Sequence, residues 1–335
     1  MPEKHTPPFL TLLIGKIAKK MGAKVTLEPE FGYVGQIIFK NGKRTFFRNR
    51  VLSINTVSAV EVACDKNYSS FFLRTFGYRV PQEQTFFSDD WCKRFKSKRT
   101  IADACRFAKR LGYPVIVKPN NLSQGAMVTK VLDQKHLIDA ARKIVKRSHL
   151  FLVQEFLTGH DYRIVVLDDT VISAYERLPL SVTGDGKSSV KRLLEQKQKA
   201  FEKGGRDTQI AFDDYRIRWK LRAQGLSFRS IIPKGQHIAL LDNANLSTGG
   251  ESVDRTNVLH DDYRTLAINV TKDMGLRLCG VDIITSDITK PLEPRYAILE
   301  INAAPGLDHY ASSGKKQRAI VENLYAKVLQ AIEQQ

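Results

Sequence analysis

Two strand-like runs constrain this chain more than any other feature: "LCGVDIIT" (278–285) and "YAILEI" (296–301). Both are apolar almost throughout, as expected of strands buried in a sheet. Yet Asp282 interrupts the first, and Glu300 sits in the second with Asn302 just beyond it. Residues two apart in a strand face the same way, so Glu300 and Asn302 project together. A hairpin-like pairing of the two runs sets Asp282 beside them. A lone Asp in such a strand can be satisfied by a core hydrogen bond. Three oxygen-bearing side chains on one face, with few cations in the same strands, are costly unless a cation compensates them. Mg²⁺ favours hard donors of this kind, with nucleotide phosphates completing its shell. Asp282, Glu300 and Asn302 are therefore the candidate metal ligands.

The rest of the 335 residues reads as helices and strands in alternation, an α+β or mixed α/β class with two or three subdomains. Residues 1–62 form a small preface. It holds a helix with Leu10, Leu13, Ile14, Ile17 and Met21 on one face, then a hairpin with Asn41-Gly42 as a type I′ turn between 36–40 and 43–48. Further on, the patterns give a helix ending at Gly112, the strand "YPVIVKP", a helix over 134–146 and the strand "LFLVQEFL". A hairpin over 162–175 turns at Asp168-Asp169-Thr170. From 184 to about 232 charge rises and two polar helices replace the strands, an insertion able to move against the core. After 260 come a helix (261–274), the two acidic strands and a closing helix with Val321, Leu324, Tyr325, Val328, Leu329 and Ile332 on one face.

No apolar run reaches the 18 residues of a membrane span, and no signal-peptide pattern opens the chain. Cysteines 64, 92, 105 and 279 make neither a C-x-x-C pair nor a disulfide framework, which fits a reducing cytoplasm. The formal net charge of +18 suggests anionic ligands, either nucleotide phosphates or a polyanion. Its densest cluster, Arg216, Arg218, Lys220, Arg222 and Arg229, surrounds Trp219; a solvated helix face is the plain alternative.

"TGDGKSSV" (183–190) ends like a phosphate-binding P-loop, but the match fails. The required upstream glycine is Ser181, and the preceding "YERLPLSV" contains Pro179 and makes a poor central strand. A Gly-Asp-Gly turn with Ser188 or Ser189 capping the next helix explains these residues. Lys118 is the better phosphate candidate, because a lysine ending an apolar strand needs an anion. Lys66 taken alone reads more readily as a surface lysine. Residues 120–126, "NNLSQGA", are a candidate phosphate-covering loop built on backbone N–H groups.

Seven segments, in this order, resemble the ATP-grasp ligases, and within them the ATP-grasp module of the cyanophycin synthetases. They are "DKNYSSFFLRTFGYRVP", "YPVIVKPNNLSQGAMV", "FLVQEFLTGHDYRIVVL", "VTGDGKSSVKRLL", "DNANLSTGGESVDRTNVLH", "LCGVDIITSDITKPL" and "LEINAAPGLDHY", covering about 64–315. The resemblance implies two α+β subdomains clamping ATP. The ATP-grasp domain would run 63–335, with an ATP-binding subdomain at about 119–180, a helical lid at about 184–232 and a metal-binding core at 233–335. It implies that Lys66 and Lys118 contact phosphates and that Ser123, Gln124 and Gly125 belong to the covering loop. Gln154, Glu155 and Leu157 would read adenine and Asp161 the ribose. Arg177 would lie near the phosphates and the reacting carboxylate, and Lys118 and Arg177 would be the catalytic cations. Asp282, Glu300 and Asn302 would hold Mg²⁺, with Mn²⁺ as the alternative ion.

The implied chemistry is carboxylate activation by ATP followed by amine attack, a carbon–nitrogen ligation on small-molecule, amino-acid or peptide substrates, in a cytoplasmic protein and with a homo-oligomer expected. Three departures qualify it. Gln154 stands where the family is usually acidic, and Asp308-His309-Tyr310 follow "NAAPGL" where a basic residue is general. No Mur-ligase-like stretch follows the module in this sequence, so synthesis of a full polymer by this chain alone is not expected. The competing class is a nucleic-acid-binding or regulatory protein on the same scaffold. It is disfavoured because such a scaffold has no need of the carboxylates and both lysines.

Overall fold

The computed structural model describes residues 7–120, 125–204, 206 and 208–335. The chain opens with α1 (Phe9–Lys20) and an antiparallel meander of β1 (Lys24–Leu27), β2 (Val34–Ile38), β3 (Arg44–Arg48) and β4 (Val51–Leu52). Asn41-Gly42 closes the β2–β3 hairpin, but not as a two-residue type I′ turn. Gly42 has φ 84° while Asn41 is not left-handed. The Gly42 N–H donates to the Phe39 carbonyl and the Phe39 N–H to Lys43. The loop therefore has three residues, and its single left-handed position suits a type I turn with a bulge.

Two helices follow that periodicity passed over, α2 (Val57–Cys64) and α3 (Lys66–Thr75). Asp65 separates them: its carboxylate accepts from the N–H groups of Asn67 and Tyr68, capping α3. Next come β5 (Glu83–Phe87), α4 (Asp89–Arg94), α5 (Ile101–Leu111), β6 (Val115–Pro119), β7 (Thr129–Val131), α6 (Gln134–Val145) and β8 (Leu150–Glu155). The four strands form one antiparallel sheet in the order β5-β8-β6-β7. Ala104 and Ala108 of α5 and Leu137, Ala140, Ala141 and Ile144 of α6 pack on Val115, Val117, Phe151 and Val153. The apolar stripe of each helix is thus buried as its spacing dictates.

The hairpin β9 (His160–Leu167) and β10 (Thr170–Leu178) turns at Asp168-Asp169, with Asp168 at φ 53°. After β11 (Ser181–Thr183) lie the two expected polar helices, α7 (Val190–Lys203) and α8 (Tyr215–Ala223). Ser189 is the residue that caps α7, accepting from the Arg192 N–H. Then come β12 (His237–Ala239), β13 (Glu251–Asp254), α9 (Asp261–Asp273), β14 (Leu278–Thr285), β15 (Ala297–Asn302), α10 (Asp308–Ser312) and α11 (Lys315–Gln334). The central antiparallel sheet has the order β13-β10-β9-β14-β15.

Strand alternation divides this sheet's faces. Tyr162, Ile164, Val166, Val281 and Ile283 pack under α9. On the other face, Val165, Leu167, Tyr175 and Leu278 join a core made by α1, the first meander and α11. All six residues named for the closing helix are buried there. Farther along that second face the apolar residues give way to charge, which is where the site lies. Among the described residues no helix is long and apolar enough to cross a membrane.

Candidate functional site

One rung of the central sheet carries the chemistry. Tyr175, Arg163, Asp282 and Glu300 are register partners across β10, β9, β14 and β15. Asn302 lies one pleat on, opposite Gly280, and Arg177 pairs with Asp161 on the other side. The antiparallel β14–β15 pairing therefore brings Asp282, Glu300 and Asn302 together as the alternation predicts.

Charge compensation differs from the expectation. Asp282 is fully buried and is met by guanidinium groups from neighbouring strands. Arg163 donates to it through Nε and Nη2 at 2.6 and 2.7 Å, and Arg177 Nη2 lies 2.9 Å away. Asn302 Nδ2 faces the same carboxylate at 3.5 Å. The strands thus supply their own cations, and burial alone does not require a metal at Asp282. Among the described residues no group of three His, Cys, Asp or Glu side chains is close enough to hold a metal. The oxygen chemistry that fits a hard cation best is that of Glu300 with Asn302, both partly exposed on one strand face. Asp282 would share its carboxylate between such a cation and the guanidiniums.

Two lysines approach Glu300, Lys66 from the first turn of α3 and Lys118 from β6 of the other sheet. Lys66 Nζ lies 3.7 Å from it and also donates to the Asn120 carbonyl at 3.4 Å. Asn120 fixes this approach: Nδ2 donates to Asp65 at 2.8 Å, and Oδ1 accepts from the Asn67 N–H. The start of α3 is thereby tied to the end of β6, two residues from Lys118. Lys118 is 6% exposed and lies 3.9 Å from Glu83. Burial lowers its pKa, with Glu83 and Glu300 opposing that shift. Glu300 goes the other way: burial would raise its pKa, but Lys66, Lys118, Arg163 and Arg177 together hold it down to about 2. A carboxylate facing four cations stays ionised at neutral pH, while Asp282, Asp161 and Glu83 balance the other three positive charges.

Asp161 accepts from Arg177 Nε at 3.0 Å and Nη2 at 2.6 Å. Burial pushes its pKa up to about 6, Arg177 pulls down and the Asp282 charge pushes up further. Glu155 ends β8 and accepts from the Gln82 N–H at 3.1 Å. Residues 156–159, including half-buried Leu157, connect the two sheets. At Gly159 (φ 141°) a Cβ would meet the Thr285 carbonyl at 2.8 Å, so this connector runs hard against the end of β14. Gln154 is buried and donates to Glu83 Oε2 at 2.5 Å.

Of the residues named from sequence, Lys66, Lys118, Asp161, Arg177, Asp282, Glu300 and Asn302 converge. Gln154, Glu155 and Leu157 line the junction beside them. Gly125 is held by α8, its carbonyl accepting from Arg216 Nη1 at 2.7 Å. Ser123 and Gln124 lie outside the described residues. Arg163 and Glu83 were missed. Arg163 interrupts "YRIVVL" as Lys118 ends "VIVK", so the same burial argument would have found it. Glu83, with its side chain 2% exposed and its Oε1 lacking a partner among the described residues, gives no comparable local signal. The basic cluster is partly structural: Arg216 pairs with Asp214 at 2.6 Å, and Lys220 pairs with Asp242.

Known proteins resemble this chain in sequence and in fold. Residues 72–184 match the family model of the D-ala D-ala ligase C-terminus, and 242–331 match the RimK-like ATP-grasp domain. Cyanophycin synthetase of Geminocystis herdmanii is 32% identical over 258 residues, 75% of this chain and 28% of that protein. That of a Nostoc species is 35% identical over 257 residues, 75% of this chain and 27% of the relative. The glutathione biosynthesis bifunctional protein GshAB of Pasteurella multocida is 30% identical over 273 residues, 78% and 34% of the two chains. This chain thus spans only about 27–34% of the length of these relatives.

Among solved structures, a bifunctional glutathione synthetase from Pasteurella multocida aligns with TM-score 0.60 at 24% identity, over 96% of this chain and 44% of that one. A D-alanine–D-alanine ligase from Bacillus anthracis aligns with TM-score 0.51 at 14% identity, over 84% and 69%. At these identities the likeness establishes the fold. The two-sheet architecture, the two family-model matches and the shared sequence with the cyanophycin synthetases give one result: the chain belongs to the ATP-grasp ligase family.

Proposed function

We propose that the protein is an ATP-dependent carboxylate–amine ligase forming an amide or peptide bond through an acylphosphate. The observation that carries this reading is the junction of the two sheets. There Lys66, Lys118 and Arg177 converge on Glu300, Asn302 and Asp282. A substrate carboxylate oxygen attacks the γ-phosphorus of ATP; the new O–P bond forms as the bond to the β-phosphate oxygen breaks and ADP leaves. An amine then attacks the acyl carbon, the C–N bond forms, phosphate departs and the nitrogen loses a proton.

Lys66 and Lys118 bind the phosphate oxygens, and Arg177 orients the reacting carboxylate. Charge placed where negative charge builds lowers the barrier most when water is excluded. Mg²⁺, or Mn²⁺ in its place, would be held by Glu300 and Asn302 with Asp282, and would supply further charge neutralisation on the phosphates. Gln154, Glu155 and Leu157 would border the adenine, Asp161 the ribose, and the loop of Ser123, Gln124 and Gly125 the phosphates, with the 184–232 helices as a lid. Free cysteines at 64, 92, 105 and 279 fit a cytoplasmic protein.

ADP release, followed by a coupled assay across panels of acids and amines, is expected only when both substrate types are present. EDTA should abolish it and added Mg²⁺ restore it. A broad panel giving only background ADP from folded protein sinks the reading.

Acid should weaken nucleotide binding. Asp161 has a raised folded-state pKa, so any stability it contributes is present below about 4 and lost as pH rises through about 6. Its ionised form, the one able to accept ribose hydroxyls, is lost on acidification. KM for ATP should therefore climb as pH falls below about 6, and Asp161→Asn should flatten that rise while weakening ATP binding at pH 8. An unchanged profile in the variant removes Asp161 from the role.

A further inference from the structure

A second charged cavity lies outside the rung of Asp282 and Glu300. Its volume is about 610 Å³, within the roughly 300–1,000 Å³ typical of ligand pockets. It is an open groove lined by the turn at 185–189, the first two turns of α7 and residues Arg229 and Ile231. Backbone bonds stitch these walls together: Gly186 N–H to Ile232, Val190 N–H to Ser230 and Lys191 N–H to Phe228. This is the segment whose sequence imitates a P-loop, and it begins shortly after Arg177 along the chain.

Three cations line the cavity, Lys187, Arg192 and Arg229, and none forms a salt bridge among the described residues. The one acid lining it among the described residues, Asp185, is occupied by its own turn. It accepts from the Lys187 N–H at 2.9 Å, the Ser188 N–H at 2.6 Å and the Ser188 hydroxyl at 2.7 Å. These bonds, the Ser188 hydroxyl foremost, hold its pKa down to about 2. The net excess is therefore positive, and the three cations come from separate parts of the wall. Ile231, 59% exposed, adds an apolar side.

Among the described residues no aromatic ring lines the cavity. Single-stranded nucleic acid is usually gripped by ring stacking along a basic groove. A concave cavity with three separated cations and an aliphatic wall suits instead a short polypeptide bearing several carboxylates.

We propose that this cavity binds an acidic peptide and anchors it as a substrate of the ligation. The anchoring role rests on the ligase reading above; the binding does not. Arg192 and Arg229 receive carboxylates through paired N–H donors, and Lys187 acts as a point charge at the rim.

The test is fluorescence anisotropy of fluorescein-labelled tetraglutamate with the full chain at low salt. The parent should bind saturably and lose affinity as salt rises. Lys187→Ala/Arg192→Ala/Arg229→Ala should weaken binding at least tenfold with an unchanged thermal midpoint, since all three side chains are exposed. Lys187→Arg should bind like the parent. Glu300→Ala should bind like the parent while failing in ADP release, which separates the two sites. The proposal is overturned if the parent does not bind at millimolar peptide, if the triple variant binds equally well, or if tripolyphosphate or oligo(dT) binds more tightly than the peptide. Binding of a peptide that is never ligated leaves the site but refutes its anchoring role, the ligase reading itself being decided by ADP release across the acid and amine panels; ligation without binding refutes this site alone.

Discussion

Arg163→Met should destabilise the protein by about 3 kcal/mol, the lower end of the cost of breaking a buried ion pair. Asp282 has no solvent exposure and takes two of its hydrogen bonds from Arg163. Methionine preserves much of the side-chain volume, so the loss is chiefly electrostatic: a buried carboxylate left with Arg177, which also serves Asp161. The contrast is Arg163→Met with Asp282→Leu. Removing both charges leaves Arg177 paired with Asp161 and should recover most of the loss, because a buried pair replaced by apolar residues is often neutral. Thermal unfolding and hydrogen exchange in β14 check both variants. A single variant as stable as the parent would show that the guanidinium is not what compensates Asp282.

Glu300→Ala should lower the rate of ADP release by about 10²–10³-fold, the effect of deleting one electrostatic contact to a transition state. Partial exposure and a position at the sheet margin make it tolerable to the fold. Its removal acts twice. The hard-oxygen pair with Asn302 is lost, and Lys66, 3.7 Å away, loses its anionic partner. Single-turnover measurement at saturating ATP separates slower chemistry from weaker nucleotide binding. An unaltered rate would remove Glu300 from the active centre. Glu300→Gln keeps oxygen donors but not charge and should fall between alanine and parent.

Much of this site was legible because strand periodicity is strict. Two residues apart on β15 means one face, so Glu300 and Asn302 were placed together before their partner strand was known. Tertiary charge balance was less legible. The cations around Asp282 sit on β9 and β10, 119 residues away in the case of Arg163, so a scan of the acidic strands alone overlooked them. Glu83 depends on Gln154, 71 residues distant, and its own strand carries no hint of that. The α2–α3 pair was obscured by exposure rather than distance. Val57, Tyr68, Phe71 and Phe76 are large apolar residues facing outward, which blurs the amphipathic pattern that made α5, α6 and α11 readable.

The shared core of α1, the first meander and α11 has a consequence for how the chain is made. Asn41 donates to the Glu333 carbonyl across 292 residues, and Val321, Leu324, Tyr325, Val328 and Leu329 fill the same core as Leu13, Ile14 and Phe47. On the ribosome, the opening helix and strands emerge long before the helix that completes their packing. At roughly 5–20 residues per second that wait is on the order of 15–60 s. During it their apolar faces are available to chaperones and to wrong partners. Closing so long a loop comes late and is slow. The α1–β4 segment, made well before α11, is thus among the last to be buried, and the sheet that carries the carboxylates is clasped only when α11 arrives.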